Sequence, residues 1–260
     1  MPRYKMTVEY AGTRYSGWQI QKNARTVQGD LHEAIRKGLG ATRFETYGAG
    51  RTDAGVHALG QVVHADLPEN LPTATLLARI NGELPHDINV LEAERVSPRF
   101  HARHSAVARS YLYQVATRRS AFAKPFVWWV REPLDVAAMS RAADALTGFA
   151  DFRAFTDDDP EEKSTQVLVD TLQVERHGSL ILIRVVGSHF LWKMVRRLVG
   201  VLVEAGRGGL SPEAVKGLLS SDSDLPPKLA APSSGLFLEH VFYEPPPRNR
   251  VLAPAIFRVD

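Results

Sequence analysis

Apolar positions alternate with polar ones from Tyr4 to Tyr10, the period of a half-buried strand. From Val27 the period changes. Val27, Leu31 and Ile35 recur at helical spacing, and Thr26 stands where an N-cap hydroxyl belongs. Arg43 to Tyr47 reads as a strand, a glycine-rich loop follows, and "GQVVHA" reads as another strand. "TATLLARINGEL", after Pro72, predicts a helix and "INVLEAERV" a strand. The order is βαββαβ.

The second half repeats it. Ser110 to Ala116 alternates as a strand, and Asp135 can cap a helix carrying Val136, Met139, Ala143 and Leu146, which Gly148 ends. "QVLVDTLQVER" and "LILIRVV" flank a short hairpin turn at His177-Gly178-Ser179. "FLWKMVRRLVGVLVEAG" predicts a helix ending at Gly206, and Gly235 to Tyr243 the last strand. The pattern predicts an α+β protein of two ferredoxin-like (βαββαβ) halves. The halves are expected to join into an extended antiparallel sheet with helices on one face and a basic cleft on the other. The expected divisions are 1–104, 105–244 with a helical insertion from Pro212, and a Pro-rich tail, 245–260, draped over the surface. No residue-level repeat accompanies this duplication.

Composition narrows the class. With 260 residues, 44% of them hydrophobic, the chain can build one large domain or two small ones. No apolar run approaches the roughly 20 residues of a membrane span, and the first residues lack the apolar stretch of a secretory signal. A cytoplasmic location is the expectation. The absence of cysteine excludes disulfides, thiolate catalysis and cysteine-ligated metal.

Charge is segregated. Between Ser97 and Arg131 there is no acid, while Arg99, Arg103, Arg109, Arg118, Arg119, Lys124 and Arg131 all occur. A second acid-free stretch, Arg176 to Val203, holds Arg176, Arg184, Lys193, Arg196 and Arg197, and acids concentrate in segments such as "TDDDPEEK", Thr156 to Lys163. Such separation is expected of a surface that meets a polyanion.

One acid stands apart. From Thr46 to Ala65 Asp53 is the only Asp or Glu, set among glycines with Arg51 two residues before it. "GAGRTD" opens like a dinucleotide fingerprint, but Asp53 occupies the third glycine's place and a strand follows where a helix is needed. Asp53 is then either an Asx-turn residue or a carboxylate offered to a ligand. Tyr15 and Trp18 can stack on bases or pack; Tyr111 and Tyr113 share one face of a strand. In the last long helix Arg196 and Arg197 interrupt an apolar run, so one of them is hard to keep in solvent and needs a carboxylate. Asp53 is the candidate partner. His101 and His104 lack an acidic or thiol ligand cluster, so no metal site is predicted.

The segments "YAGTRYSGWQIQ", "TVQGDLHEAI", "GAGRTDAGVHALGQVVH", "FHARHSA", "RSYLYQV", "FLWKMVRRLVG" and "GLFLEHVFY" occur in an order that resembles the tRNA pseudouridine synthase A family. The resemblance runs from residue 10 to residue 243, and "GRTDAGVHA" is its most specific piece. It implies isomerisation of uridine to pseudouridine in the anticodon stem-loop of tRNA, at tRNA positions 38, 39 and 40. It also implies a homodimer that needs no metal and no nucleotide cofactor. Asp53 is implied as the nucleophile. Tyr111, Arg51 and Arg196 are expected on the target nucleotide, with Arg196 keeping Asp53 charged once water is expelled. From the charge pattern, Arg103, Arg109, Lys193 and Arg197 are expected on RNA. Ala11 stands where the family usually has Asp, and residues 156–166 match no part of the family pattern. The competing expectation is a non-catalytic RNA-binding protein of two RRM-like halves, although the aromatic strand motifs of those modules are missing.

Overall fold

The structure, a computed structural model, describes residues 1–67, 71–247 and 249–255, with Ser220 by its backbone only. The chain forms two compact units, Met1–Val107 with Leu238–Pro245, and Ala108–Phe237 with the segment from Pro246 onward. The chain from Pro246 groups with the second unit by its contacts, while Pro245 groups with the first.

In the first unit the elements run β1 (Arg3–Tyr10), α1 (Val27–Leu39), β2 (Thr46–Gly48), β3 (His57–Asp66), α2 (Thr73–Glu83) and β4 (Ile88–Val96). β1 is central and antiparallel to both β3 and β4, and β2 pairs with β3. Tyr4, Met6, Val8 and Tyr10 alternate into the core, where Leu31 and Ile35 of α1 and Leu76 and Ile80 of α2 are also buried. Thr26 caps α1 by accepting from the Gly29 N–H at 3.2 Å. The strand expected from Arg43 to Tyr47 is only Thr46–Gly48, while β3 extends three residues earlier than its apolar core suggested.

In the second unit the elements are β5 (Ala108–Ala116), β6 (Trp128–Trp129), α3 (Val136–Ala145), β7 (Gly148–Asp151), β8 (Gln166–His177) and β9 (Leu180–Gly187). They continue with α4 (Met194–Gly206), α5 (Pro212–Gly217) and α6 (Leu225–Lys228). β5, β9, β8 and β7 are neighbours in that order and antiparallel, while the two residues of β6 pair with β5 in parallel. The last strand, β10 (Leu236–Phe242), begins in this unit and continues into the first, beside β3. The fold is mixed α/β with mostly antiparallel pairing. Among the described residues no helix is long and apolar enough to cross a membrane.

Two details go beyond the expectations. The described part of the tail runs over the surface, with Val251 exposed, but it is pinned there: Leu252 is buried, and the Ala255 N–H donates to Gln114 Oε1 at 2.8 Å. Arg184, on a strand covered on both faces, is 2% exposed and donates to the Arg250 and Val251 carbonyls, each at 2.9 Å. It is therefore a tail anchor and not part of a cationic surface. α4 also starts four residues late, because Lys193 turns left-handed (φ 60°).

Candidate active site

The Asp53 turn is fixed by its backbone. The Ala49 N–H donates to the Val62 carbonyl at 2.7 Å, and the buried Gln61 amide donates to the Gly50 carbonyl at 2.9 Å. The Trp18 N–H donates to the Thr52 carbonyl at 3.0 Å, and the Gly55 N–H to that of Tyr15 at 3.3 Å. The Val56 N–H closes a turn onto the Asp53 carbonyl at 3.1 Å. Gly55, at φ +79°, occupies the position of a type II turn that needs a positive φ. Thr52 is buried and its hydroxyl bonds the Tyr10 hydroxyl at 2.8 Å.

The loop after β1 forms the seat for this turn. Trp18 is 1% exposed, so it packs instead of stacking on a base, and Tyr15 is buried with its hydroxyl donating to Asp87 at 2.7 Å. Burial, reinforced by Asp87, pushes the Tyr15 phenol far above its usual range. A Cβ on Gly12 would stand 1.9 Å from the Val56 carbonyl oxygen, and one on Gly17 2.7 Å from that of Thr52. Everything around Asp53 is thus tied down, yet its side chain is not. Asp53 is half-exposed and Arg51 exposed. Among the described residues neither side chain forms an ion pair or hydrogen bond. The turn closes through main-chain atoms, so the carboxylate is not spent on an Asx-turn.

The second unit carries the other expected residues. Tyr111 lies opposite Val185 on β9, half-buried, with its ring edge-on to Phe190 at 5.2 Å. Tyr113, two residues on, is core: its hydroxyl donates to the Pro232 carbonyl at 2.8 Å. Arg196 is half-buried. Its Nε donates to the Ala231 carbonyl at 2.6 Å, and the Ala231 N–H returns to the Arg196 carbonyl at 2.9 Å. Gly200 makes this possible, since a Cβ there would lie 1.9 Å from the Leu229 carbonyl oxygen.

The helix does hide one arginine, and it is Arg197, at 3% exposure. Its partner is Asp157, which also takes the Lys193 ammonium at 2.8 Å. Lys193 and then Arg197 hold the Asp157 carboxyl below the usual carboxylate range. The buried arginine therefore found its acid in the segment 156–166, for which the sequence pattern suggested no role. Arg197 has no face for RNA. Of the other expected contacts, Arg103 is exposed in the first unit, and Arg109 donates to the Ser188 carbonyl at 3.0 Å.

A family model described as tRNA pseudouridine synthase matches residues 6–105 and 142–244. The chain belongs to that family. Proteins named tRNA pseudouridine synthase A are similar along nearly all of it. Those from Afipia carboxidovorans and Methylobacterium nodulans are 42% and 44% identical over 94% of this chain, covering 100% and 96% of their own lengths. The protein of that name from Maricaulis maris is 43% identical over 95% of this chain and all of its own. A chain of a solved Cbf5-Nop10-Gar1 complex aligns with 76% of this chain at 12% identity and a TM-score of 0.33, too low a likeness to bear on the fold. As a pseudouridine synthase family member the protein is an isomerase. Its Asp53 turn and Tyr10–Trp18 seat both lie within the first matched stretch.

The seat residues Tyr10, Gly12, Gly17 and Thr52 were not singled out from sequence as supports. Their signal was present in the glycines of "YAGTRYSGW", whose need for close backbone approach shows only in three dimensions.

Proposed function

We propose that this protein isomerises uridine to pseudouridine in the anticodon stem-loop of tRNA, at positions 38, 39 and 40, with Asp53 as the nucleophile. The observation that carries the reading is the Asp53 turn: a backbone tied on both sides holds a lone carboxylate that takes no partner among the described residues. A group so presented is free to meet a substrate, and pre-organisation of this kind lowers the cost of reaching a reactive geometry.

The reaction cleaves the N-glycosidic bond, turns the uracil and rejoins it through C5. It needs one carboxylate acting at the sugar or the base, with no redox step and no activated donor. Tyr111 stacks on the target base in this reading and Arg51 contacts the RNA around it. Arg196, with its Nε already fixed on Ala231, offers its remaining donors to the carboxylate or the nucleotide. Eversion of a paired or stacked uridine costs a few kcal/mol, offset by phosphate contacts from Arg103 and Arg109. The βαββαβ order of the first unit and its β4-β1-β3-β2 neighbourhood support a ferredoxin-like half, and the same scheme is proposed for the second. A homodimer working in the cytoplasm without metal or nucleotide cofactor completes the reading.

Incubating the protein with unmodified tRNA and mapping pseudouridine tests it. Pseudouridine at 38–40 is expected. Tight tRNA binding with no pseudouridine would favour the RNA-binding alternative.

A further inference from the structure

α4 begins without a capping side chain of its own. Its N-cap, Lys193, is the one non-glycine residue with positive φ among the described residues, a strained conformation for a lysine. Two carboxylates from Thr156–Lys163 lie against this end of the helix, on the residue before the cap and on side chains. Asp158 accepts from the Trp192 N–H at 3.0 Å, and Asp157 takes Lys193 at 2.8 Å together with the Arg197 guanidinium. Lys193 and Arg197 lie one helical turn apart, so a single carboxylate spans the first turn of α4. Negative charge is favoured at that end of a helix, and Arg197 would otherwise be a buried, unpaired cation. Arg196 lies between the two braced residues.

We propose that Asp157 is a positioning residue. It fixes the first turn of α4 so that Arg196 is presented in one orientation, and by holding Lys193 it withdraws that ammonium from tRNA. This rests on the role of Arg196 proposed above. The two effects have opposite signs: turnover depends on Asp157, while tRNA affinity is held down by it. A carboxylate that served folding alone would change turnover and binding together, in proportion to the folded fraction.

The test compares Asp157→Asn, Asp157→Glu and the double variant Asp157→Asn/Arg197→Met for kcat, tRNA Kd over a salt series, and thermal unfolding midpoint. In Asp157→Asn kcat is expected to fall roughly ten- to a hundredfold, as for a slightly misplaced group. Its Kd should hold or tighten, with a salt slope steeper by roughly one because Lys193 is released. Asp157→Glu should recover most of the turnover. The double variant replaces the ion pair by neutral side chains, so it should keep the fold while its turnover stays low. Wild-type kcat in folded Asp157→Asn or in the double variant would overturn the proposal, as would a loss of kcat matched by an equal weakening of Kd. Arg196→Lys separates the two readings. Full turnover in that variant removes the role of Arg196 itself, whereas low turnover there beside full turnover in Asp157→Asn removes only the positioning role.

Discussion

Gly12 and Val56 touch backbone to backbone: a Cβ on the glycine would lie 1.9 Å from the valine carbonyl oxygen. The loop after β1 is therefore the template on which the Asp53 turn is moulded. Gly12→Ala should destabilise the protein by about 1–3 kcal/mol, the usual cost of overpacking, and lower turnover with it. Gly50→Ala is the control, because nothing lies within 4 Å of a Cβ there, and a change within about 0.5 kcal/mol is expected. Urea denaturation midpoints beside initial rates decide this; equal effects at the two glycines would contradict the template.

Asp53→Asn should abolish pseudouridine formation with tRNA affinity and unfolding midpoint nearly unchanged. The side chain contributes no ion pair or hydrogen bond to the fold among the described residues, so little stability is at stake. Substantial residual turnover by pseudouridine mapping would refute its role.

Reversing charge at Arg103 and Arg109 should weaken tRNA binding and flatten its salt dependence by roughly one per lost phosphate contact. A binding series between low and high salt reads the slope. An unchanged slope would mean that these arginines face elsewhere.

Acid should destabilise the first unit through His64. This residue is 2% exposed, with Nδ1 accepting from the Ala102 N–H at 3.1 Å. Burial, then neighbouring His101 and Arg3, lowers its pKa from 6.5 to about 4, with Asp66 opposing. A histidine whose folded value is depressed binds fewer protons than the unfolded chain, so its stabilisation is complete above 6.5 and is lost as pH falls towards 4. His101, also lowered by burial and by His104, adds to the same slope. His64→Asn keeps an acceptor near the Nδ1 position and should flatten the pH dependence of the unfolding midpoint in that window. A slope equal to wild type would rule out His64 as its source.

Much of the fold was legible because alternation and helical spacing are local. β1, α1, α2 and the β8–β9 hairpin stand close to where apolar periodicity put them. β6 and β7 went unread, being two and four residues long, too short for a period to register. Asp53 stood out because no other acid is near it in sequence. The partner of the buried arginine was misassigned for the converse reason: Asp157 sits in a run of acids that reads as a solvated loop, and only the fold brings it onto α4. The cationic stretch Arg176 to Val203 misled in the same way, since Arg184 and Arg197 face inward, Arg184 onto carbonyls and Arg197 onto a carboxylate.

β10 also matters for the order in which the protein can be made. Its residues from Leu238 lie beside β3, where the Val107 N–H donates to the Phe242 carbonyl at 2.8 Å and the Tyr243 hydroxyl to that of Ala102 at 2.8 Å. The first unit is therefore closed by a strand that leaves the ribosome last, on the order of ten seconds after Val107 at ordinary translation speeds. Until then the start of β3, beyond the stretch that β2 covers, emerges with one edge unguarded, and the nascent N-terminal half is the species most in need of a chaperone.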